Sequence, residues 1–281
     1  MKLIDPKVEL WSEIGISPES HIARCARVCY GHEDKAPNQE ADEKMVDGLY
    51  RREHYSMFRH SSIYEMPQMR LQSEYVNSKF VGAVTQYASY NRQYYFEKPM
   101  TKGIEMTPEE FLNVCRTHGE LFGIFRLTFC ITTQISTSRE LNRVSPNNIS
   151  ERSTRYCSSK DGLEICKPWW WERKIGSYSV AEIAKLPHNH KATAIAWHEA
   201  EGAYTELLKG GMNPEDARGV LPLDTATKVV YTYSVEKWQH ILKLRYYGTT
   251  GRPHPNAKLV MGMVRDQINA FAKKQNIEYE V

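Results

Sequence analysis

The chain has 281 residues, of which 41% are hydrophobic and 25% charged, so it holds enough apolar material for a packed core and is not a disordered protein. Its net charge of +3 is too small for composition alone to indicate a nucleic-acid partner, and we expect none. The sequence has neither an apolar run near the roughly 20 residues that span a bilayer nor an amino-terminal signal peptide, so we expect a soluble, cytoplasmic protein without a membrane partner.

Two segments near the amino terminus carry hydrophobic residues at helical spacing and predict helices over residues 20–30 and 40–52. Residues 63–71 predict a strand, whereas the tyrosine-rich stretch 75–96 gives no clear assignment. Thr107, followed by a proline and two glutamates, is a typical helix start, because its hydroxyl caps the first turn and the acids favour the helix dipole. We predict that this helix continues to about residue 122.

The second half of the chain contains further predicted strands and helices. β-branched and aromatic residues predict strands over 127–135 and 229–233. Apolar periodicity and stop signals predict the remaining helices, over 192–209, 234–244 and 256–274, with a short helix from residue 213. Since no repeat or linker divides the chain, we predict one α+β domain over residues 1–281, with a β-sheet flanked by helices.

The six cysteines lie scattered along the chain, at positions 25, 29, 115, 130, 157 and 166. None forms a C-x-x-C pair, so the pattern is unlike a disulfide scaffold or a zinc ribbon. We therefore expect free thiols and no metal site.

A polar segment, RELNRVSPNNISERSTRY at 139–156, combines four arginines with serine, threonine and asparagine. Guanidinium and hydroxyl donors match phosphate oxygens, so the segment is a candidate phosphate site. A solvated loop with surface arginines is the alternative. Two further arginines, Arg218 and Arg245, follow short apolar runs, where a cation either contacts a ligand or balances a helix dipole.

Five segments of the chain match, in order, the motifs of one family. IARCARVCY at 22–30 resembles an Ala-Ala-Arg-Val-Ser/Cys helix, and HYSMFRH at 54–60 resembles a His-x-Ser/Thr-x-Phe-Glu/Arg-His turn. Residues 138–157 align without a gap on a signature of Arg-His-Arg, seven residues and Ser. ARGVLP at 217–222 and LKLR at 242–245 are similar to Ala-Arg-x-x-Leu-Pro and Leu-x-Leu-Arg. The family that these motifs resemble is the flavin-dependent thymidylate synthases.

The resemblance implies reductive methylation of dUMP at C5 to give dTMP, with methylenetetrahydrofolate as one-carbon donor, reduced FAD and NADPH. It also implies an α+β fold, a homotetramer with shared active sites, and no cysteine nucleophile. Two alternatives stay open. The protein is a diverged relative that acts on another pyrimidine nucleotide, or it is a non-catalytic protein that binds nucleotides or nucleic acid.

The resemblance also implies roles for individual residues. The implied substrate contacts are Glu140, Arg143, Glu151, Ser153, Thr154, Arg155, Arg218 and Arg245. Arg245 and Ser153 are the implied catalytic residues, with Arg245 favouring the N3-deprotonated pyrimidine. The implied flavin contacts are His54, Ser56, Ser145, Glu151, His240 and His254.

The sequence departs from the family pattern at three places. Arg143-Val144-Ser145 stands where the family has Arg-His-Arg, and Ser234-Val235-Glu236 stands where it has Asn-x-Arg. We also predict an insertion of about 55 to 60 residues, at about 72–124. The insertion leaves two candidates for the flavin-side histidine. We favour His54, which matches the local motif, over His118, which matches the spacing to Arg143.

Overall fold

The computed structural model describes residues 1–66, 82–84, 87–97, 103–144, 148–155 and 162–281, without the side chains of 82–84 and Tyr95. Its strands are β1 Lys2–Ile4, β2 Lys7–Trp11, β3 Ser62–Met66, β4 Gly82–Val84, β5 Tyr87–Asn91, β6 Ile104–Met106, β7 Arg126–Gln134, β8 Ile149–Glu151, β9 Glu164–Cys166, β10 Gly176–Ser177 and β11 Ala226–Ser234. Its α-helices are α1 Pro18–Val28, α2 Gln39–Arg51, α3 Arg92–Glu97, α4 Pro108–Thr117, α5 Ile135–Asn142, α6 Val180–Ala184, α7 His188–Lys209, α8 Pro214–Ala217, α9 Val235–Leu242 and α10 Pro255–Lys274.

The central sheet has the strand order β2-β7-β11-β8, and all its neighbouring strands are antiparallel. Side chains on β11 alternate between its two faces. Val229 and Tyr231 pack in the main core with Trp238 of α9, whereas Val230 packs on the opposite face with Cys25 of α1. The sheet is therefore covered on both faces by helices.

Among the described helices, α10 supplies the most residues to the main core. Its buried apolar residues recur every three or four positions: Ala257, Val260, Met261, Val264, Ile268, Phe271 and Ala272. This spacing gives one apolar stripe along the helix, which packs against β2 and β7. The predicted α+β class, with a sheet flanked by helices, is confirmed.

A second sheet, of order β4-β5-β3-β6, includes strands from the tyrosine-rich stretch. Its Tyr64 joins it to the main core, because the Tyr64 ring stacks on Phe111 of α4 at 4.5 Å and on Phe125 at 5.5 Å between ring centroids. The Tyr64 hydroxyl also accepts a hydrogen bond of 2.9 Å from the backbone N–H of Arg126. Part of the predicted insertion at 72–124 therefore contributes residues to the main core.

A third sheet, of order β10-β1-β9, packs with α6 and α7 around a separate apolar cluster. Trp171 and Trp197 form its centre, with ring centroids 5.2 Å apart. Strand β1 pairs in parallel with β9, far along the chain. Within the described ranges, no helix combines the length and the apolar character needed to cross a bilayer.

Most predicted elements are present, with shifted ends. Helix α4 has the predicted Thr107 cap, in a capping box with Glu110, but it ends at Thr117 instead of about residue 122. The reason is that His118 leaves the helical conformation (φ −127°, ψ 79°) and residues 119–124 form a 3-10 turn. Helix α1 ends at Val28, and the long helix α7 begins at His188, before the predicted residue 192. Residues 67–71 of the predicted strand 63–71 lie outside the described residues.

Buried polar side chains form a continuous chain of hydrogen bonds across the central strands. The hydroxyl of Thr232 on β11 lies 2.8 Å from that of Thr128 on β7. The Nδ1 of His60 lies 2.9 Å from the Thr232 hydroxyl, and its Nε2 lies 2.9 Å from the Ser150 hydroxyl. The Nε2 of His21 lies 3.1 Å from the Thr128 hydroxyl. Burial, followed by nearby positive groups, lowers the pKa of His60 to about 3, so its ring is neutral.

Candidate functional site

Two arginines and a threonine of the predicted phosphate site lie together on the surface. Nη1 of Arg218 donates a 3.0 Å hydrogen bond to the hydroxyl of Thr154. Nε and Nη2 of Arg155 donate to one carboxylate oxygen of Glu215, at 3.1 and 3.0 Å. Nε of Arg218 donates to the backbone carbonyl of Glu215 at 3.0 Å. Residues about 60 positions apart in the sequence therefore form one cluster of cationic and hydroxyl donors.

Backbone contacts hold both halves of this cluster in place. The N–H of Ser153 donates to the carbonyl of Cys29, at the end of α1, over 3.0 Å. The N–H of Arg155 donates to the hydroxyl of Ser153 over 3.2 Å, which folds the chain around Thr154. On the other side, Arg218 begins a single 3-10 turn directly after α8, which is anchored by its buried Ala217.

Glu151, at the end of β8, is hydrogen-bonded to residues of helix α5 and strand β11. Its carboxylate accepts hydrogen bonds from the hydroxyls of Ser138, at 2.7 Å, and Thr227, at 3.1 Å, and from the amide of Asn142, at 3.5 Å. The amide oxygen of Asn142 in turn accepts a 2.7 Å hydrogen bond from the hydroxyl of Tyr231. Neutral donors therefore fix the Glu151 side chain on the sheet.

Arg245 lies on a π-helical turn, Lys243–Tyr247, that extends α9. Such turns are rare and frequently occur at functional sites. Its Nε donates to the backbone carbonyl of Glu140 over 3.3 Å and lies 3.7 Å from the Glu140 carboxylate. The Arg245 side chain is only 19% exposed. Glu140 belongs to α5, the same helix as Ser138 and Asn142, so α5 connects Arg245 to the Glu151 network.

The structure does not bring every predicted contact into these clusters. Arg143 ends α5 with an exposed side chain, and Ser145 lies outside the described residues. His54 and Ser56 are exposed on the turn after α2, and neither side chain bonds to any residue within the described ranges. His118 is exposed at the end of α4, with its Nδ1 3.7 Å from the Glu120 carboxylate.

The two remaining predicted flavin contacts have different surroundings. His240 is exposed on α9, where burial of the ring and then the charges of Lys237 and Lys243 lower its pKa. His254 caps α10, because its Nδ1 accepts a 3.2 Å hydrogen bond from the N–H of Asn256. The surface around His240 therefore carries hydrogen-bond donors that suit an anionic group, whereas Nδ1 of His254 already accepts the bond that caps α10.

Glu236, which stands at the arginine of the family's Asn-x-Arg pattern, lies close to two uncharged residues. A Cβ atom placed on Gly123 would lie 3.0 Å from Cγ of Glu236 and 3.3 Å from the hydroxyl of Tyr279. Glu236 therefore packs in a close group with Gly123 and Tyr279 near the end of the chain. Its carboxylate makes no ion pair with any residue that the structure describes.

The described cysteines, Cys25, Cys29, Cys115, Cys130 and Cys166, are free thiols, and Cys157 lies outside the described residues. Burial raises the pKa of Cys115, Cys130 and Cys166 to about 12, so these thiols are protonated and unreactive at neutral pH. In the described part of the chain, no three His, Cys, Asp or Glu side chains are grouped so as to hold a metal ion.

Several residues that complete the clusters carried no motif signal. Glu215 pairs with Arg155, and Asn142 and Tyr231 extend the Glu151 network. Their only sequence signals were local: an acid in the first turn of a short helix, a polar residue at a helix end and an aromatic residue in a strand. Those signals fit structural roles equally well.

Comparison with known proteins adds independent information. Residues 80–270 match the model of a family described as thymidylate synthase complementing protein. A flavin-dependent thymidylate synthase from Synechocystis sp. is 25% identical over 138 residues, which are 49% of this chain and 64% of that protein. This chain thus covers less than two thirds of that relative's length.

Two solved structures of one bacterial protein overlay loosely on this chain. A UMP/dUMP methylase PolB from Streptomyces cacaoi bound with 5-Br dUMP overlays with a TM-score of 0.44 at 18% identity, covering 99% of this chain and 96% of that chain. The same protein bound with 5-Br UMP overlays with a TM-score of 0.45 at 17% identity, covering 99% and 94%. Overlaps this loose assign no residue roles.

The family match covers well over half of the chain and includes the segments around Glu151, Arg218 and Arg245. The motifs at 22–30 and 54–60 lie before the matched range. The predicted family is confirmed, and this chain belongs to the thymidylate synthase complementing protein family, that of the flavin-dependent thymidylate synthases.

Proposed function

We propose that the protein methylates a pyrimidine nucleotide at C5 of its base, as a thymidylate synthase does, and that the substrate is dUMP. The observation that carries the proposal is the cluster of Thr154, Arg155 and Arg218, which brings two guanidinium groups and a hydroxyl to one surface. Family membership supports the same reaction. The alternative substrate within the proposal is UMP or another pyrimidine nucleotide.

The nucleotide phosphate is proposed to bind at this cluster. Arg155 and Arg218 provide charge-assisted donors in a forked geometry that matches phosphate oxygens. Both side chains are exposed, so a phosphate reaches them without opening the fold. Ser153 lies one residue from Thr154 and is proposed to add a hydroxyl donor, and the exposed Arg143 is proposed to add a third cation.

Arg245 is proposed to contact the pyrimidine ring and to stabilise the N3-deprotonated form. A guanidinium group stays charged at every working pH and presents a planar fork of donors. The contacts with Glu140 hold this fork in a mostly buried position, where an ionic interaction is less screened than at the surface. Glu140 acts on the substrate through Arg245 and is therefore a positioning residue.

The residues present fit an anionic cofactor such as FAD, which the family implies. His54 and Ser56 offer donors that no described residue uses, and the surface formed by Lys237, His240 and Lys243 offers positive charge for a pyrophosphate. Glu151 and Ser145 stay proposed contacts, and His254 is proposed to contribute through its helix cap. The chemistry that bound FAD would supply is transfer of the hydride and the one-carbon unit between folate and base.

NADPH as reductant and methylenetetrahydrofolate as one-carbon donor belong to the same proposal. So does a homotetramer in the cytoplasm. The exposure of Arg143, Arg155 and Arg218 in one protomer supports a site that a second copy completes. Light scattering on the purified protein measures the assembly directly.

The test is direct product analysis. The purified protein is incubated with FAD, NADPH, methylenetetrahydrofolate and either dUMP or UMP. The nucleotides are then separated, and their molecular masses are measured by mass spectrometry. We expect a gain of one methyl group on dUMP that depends on both the folate and FAD. Methylation of UMP alone would replace dUMP as the substrate. No methylation of either, with dUMP bound, would favour a non-catalytic nucleotide-binding protein.

The variant Arg218→Ala tests whether the phosphate cluster is the substrate site. Loss of a charge-assisted hydrogen bond typically costs on the order of 1.5–3 kcal/mol, so dUMP binding should weaken at least about tenfold in calorimetry. Lys209→Ala is the matched control, because the partner of Lys209 among the described residues is the exposed Glu206 on α7. Unchanged dUMP affinity in a folded Arg218→Ala protein would remove the cluster from the site.

A further inference from the structure

A second surface of the protein has the composition of a nucleotide site. A cavity of about 750 Å³ opens where the π-helical turn, the loop at 248–254 and the first turns of α10 meet. Aromatic rings of Trp169, Tyr246 and Tyr247 line it, together with the cations Arg252 and Lys258. Its described lining contains no acidic residue and none of the substrate contacts named above.

The rings in this cavity differ in how firmly they are held. Tyr246 is fixed, because Nη1 of Arg265 donates to its hydroxyl at 2.6 Å and the Arg265 guanidinium lies 4.6 Å from its ring centroid. Trp169 and Tyr247 are 54% and 56% exposed. Large aromatic residues exposed beside one another at a concave surface are typical of sites that stack a planar ring.

The two cations of the cavity are not neutralised within the fold. Arg252 makes no hydrogen bond or ion pair with any residue in the described ranges. The ammonium of Lys258 lies 5.5 Å from the Tyr246 ring centroid and pairs with no carboxylate there. Because unpaired cations attract anions and aromatic faces stack planar rings, this lining suits a ligand that has both features.

The cavity walls are set by the backbone. Gly248 ends the π-helical turn with φ 75°, and a Cβ atom there would lie 2.9 Å from Cδ of Pro253. This close approach brings the loop at 248–254 back against the turn. On the opposite wall, the backbone N–H of Trp169 donates to the buried side chain of Asn256, at 2.8 Å. The two exposed rings therefore project from anchored backbone.

We propose that this cavity binds a nucleoside phosphate, with the base stacked against Trp169 and Tyr247 and the phosphate held by Arg252 and Lys258. None of the described lining residues is a proposed pyrimidine contact, and Tyr246 and Tyr247 follow Arg245 on the same π-helical turn. A base and a phosphate on one molecule engage the rings and the cations together. Neither a free nucleoside nor inorganic phosphate does so.

The experiment measures binding of AMP to the whole protein by calorimetry and by tryptophan fluorescence. Trp169 is the most exposed tryptophan among the described residues, so a base stacked on it should quench the fluorescence. We expect adenosine and inorganic phosphate, used as separate probes, to bind at least about tenfold more weakly than AMP, because each engages half of the site.

Variants separate the two proposed sites. Arg252→Gln and Tyr247→Leu should each weaken AMP binding about tenfold and leave dUMP affinity unchanged, whereas Arg218→Ala should do the reverse. Arg51→Gln is the matched control, because Arg51 is exposed on α2, away from this cavity. AMP binding that is absent, or equal in Arg252→Gln and wild type, overturns the proposal. AMP binding that fails only in Arg218→Ala also overturns it, since AMP then occupies the pyrimidine site.

The outcome is independent of the proposed methylation. AMP binding with the expected variant pattern stands even where no dTMP forms. Conversely, dTMP formation by a protein that ignores AMP leaves the methylation proposal intact and removes this one.

Discussion

Replacing Glu215 by glutamine should strengthen nucleotide binding. In the structure, both Nε and Nη2 of Arg155 bond to the Glu215 carboxylate, so this carboxylate competes with a substrate phosphate for the same guanidinium. The Arg155 and Glu215 side chains are 52% and 44% exposed, and an ion pair that exposed contributes at most about 1 kcal/mol. Removing the competitor should therefore raise dUMP affinity by up to about fivefold.

Calorimetry with dUMP at low and high salt is the assay. The gain should shrink as salt rises, because exposed charges are screened. It should also vanish in an Arg155→Ala background, since Glu215 then has no guanidinium to withhold. Glu206→Gln on α7 is the control, because in the part of the chain that the structure describes its carboxylate pairs with the exposed Lys209. Equal or lower affinity of Glu215→Gln, with folding intact, would show that Arg155 does not bind the phosphate.

Three further results are expected. Arg245→Lys should fold and bind dUMP but lose single-turnover methyl transfer, about tenfold for each 1.4 kcal/mol of lost transition-state stabilisation; an unchanged rate with pre-reduced flavin would make Arg245 a structural cation only. The free energy of unfolding should fall with acid below the ordinary histidine pKa of 6.5, by up to about 1.4 kcal/mol per pH unit down to about pH 3, because the unfolded state protonates His60 and the folded state does not. Denaturant titrations of wild type and His60→Gln at several pH values check this, and equal slopes of unfolding free energy against pH in the two proteins would contradict it. Cys25, Cys115, Cys130 and Cys166 should resist a thiol reagent at pH 8 until the protein unfolds, and mass spectrometry of the native labelled protein would reveal any exception.

Local chemistry explains which elements the sequence predicts well. The capping box at Thr107 and Glu110 is complete within four residues, so the start of α4 was predictable. Its end was not, because the 3-10 turn that follows packs Leu121 and Phe122 into the main core, a contact that depends on tertiary structure. The apolar periodicity that continued to residue 122 reflects burial of that turn.

Short strands were missed for a related reason. Lys2–Ile4 has only three residues, and its partner β9 lies about 160 positions further along the chain. No local pattern in three residues distinguishes such a strand from a loop. The strand Ile149–Glu151 lay inside a segment interpreted as irregular, because its partner residues on β11 lie about 80 positions further along the chain.

In the candidate site too, the sequence identified the residues of local motifs but not those whose role depends on tertiary contacts. The motifs identified Thr154, Arg155 and Arg218, and these residues lie together in the structure. The motifs did not identify Glu215, whose role depends on a pairing across the fold. The spacing of residues in the sequence also could not predict that the His254 ring caps α10, because this hydrogen bond depends on the backbone angles at His254.

The hydrogen-bonded chain of His21, Thr128, Thr232 and His60 has a consequence for how the central strands find each other. Thr128 and Thr232 are direct partners in the antiparallel pairing of β7 and β11. A slip of one residue would turn Thr232 toward the opposite, apolar face and leave buried imidazole and hydroxyl groups without partners. Each buried polar group that loses its hydrogen-bond partner costs about 1–3 kcal/mol. The apolar contacts of valines and isoleucines on the same strands are not directional, so they distinguish one register from another less sharply. The polar chain thus disfavours a misaligned pairing of β7 and β11 and helps to fix the register of the two strands during folding.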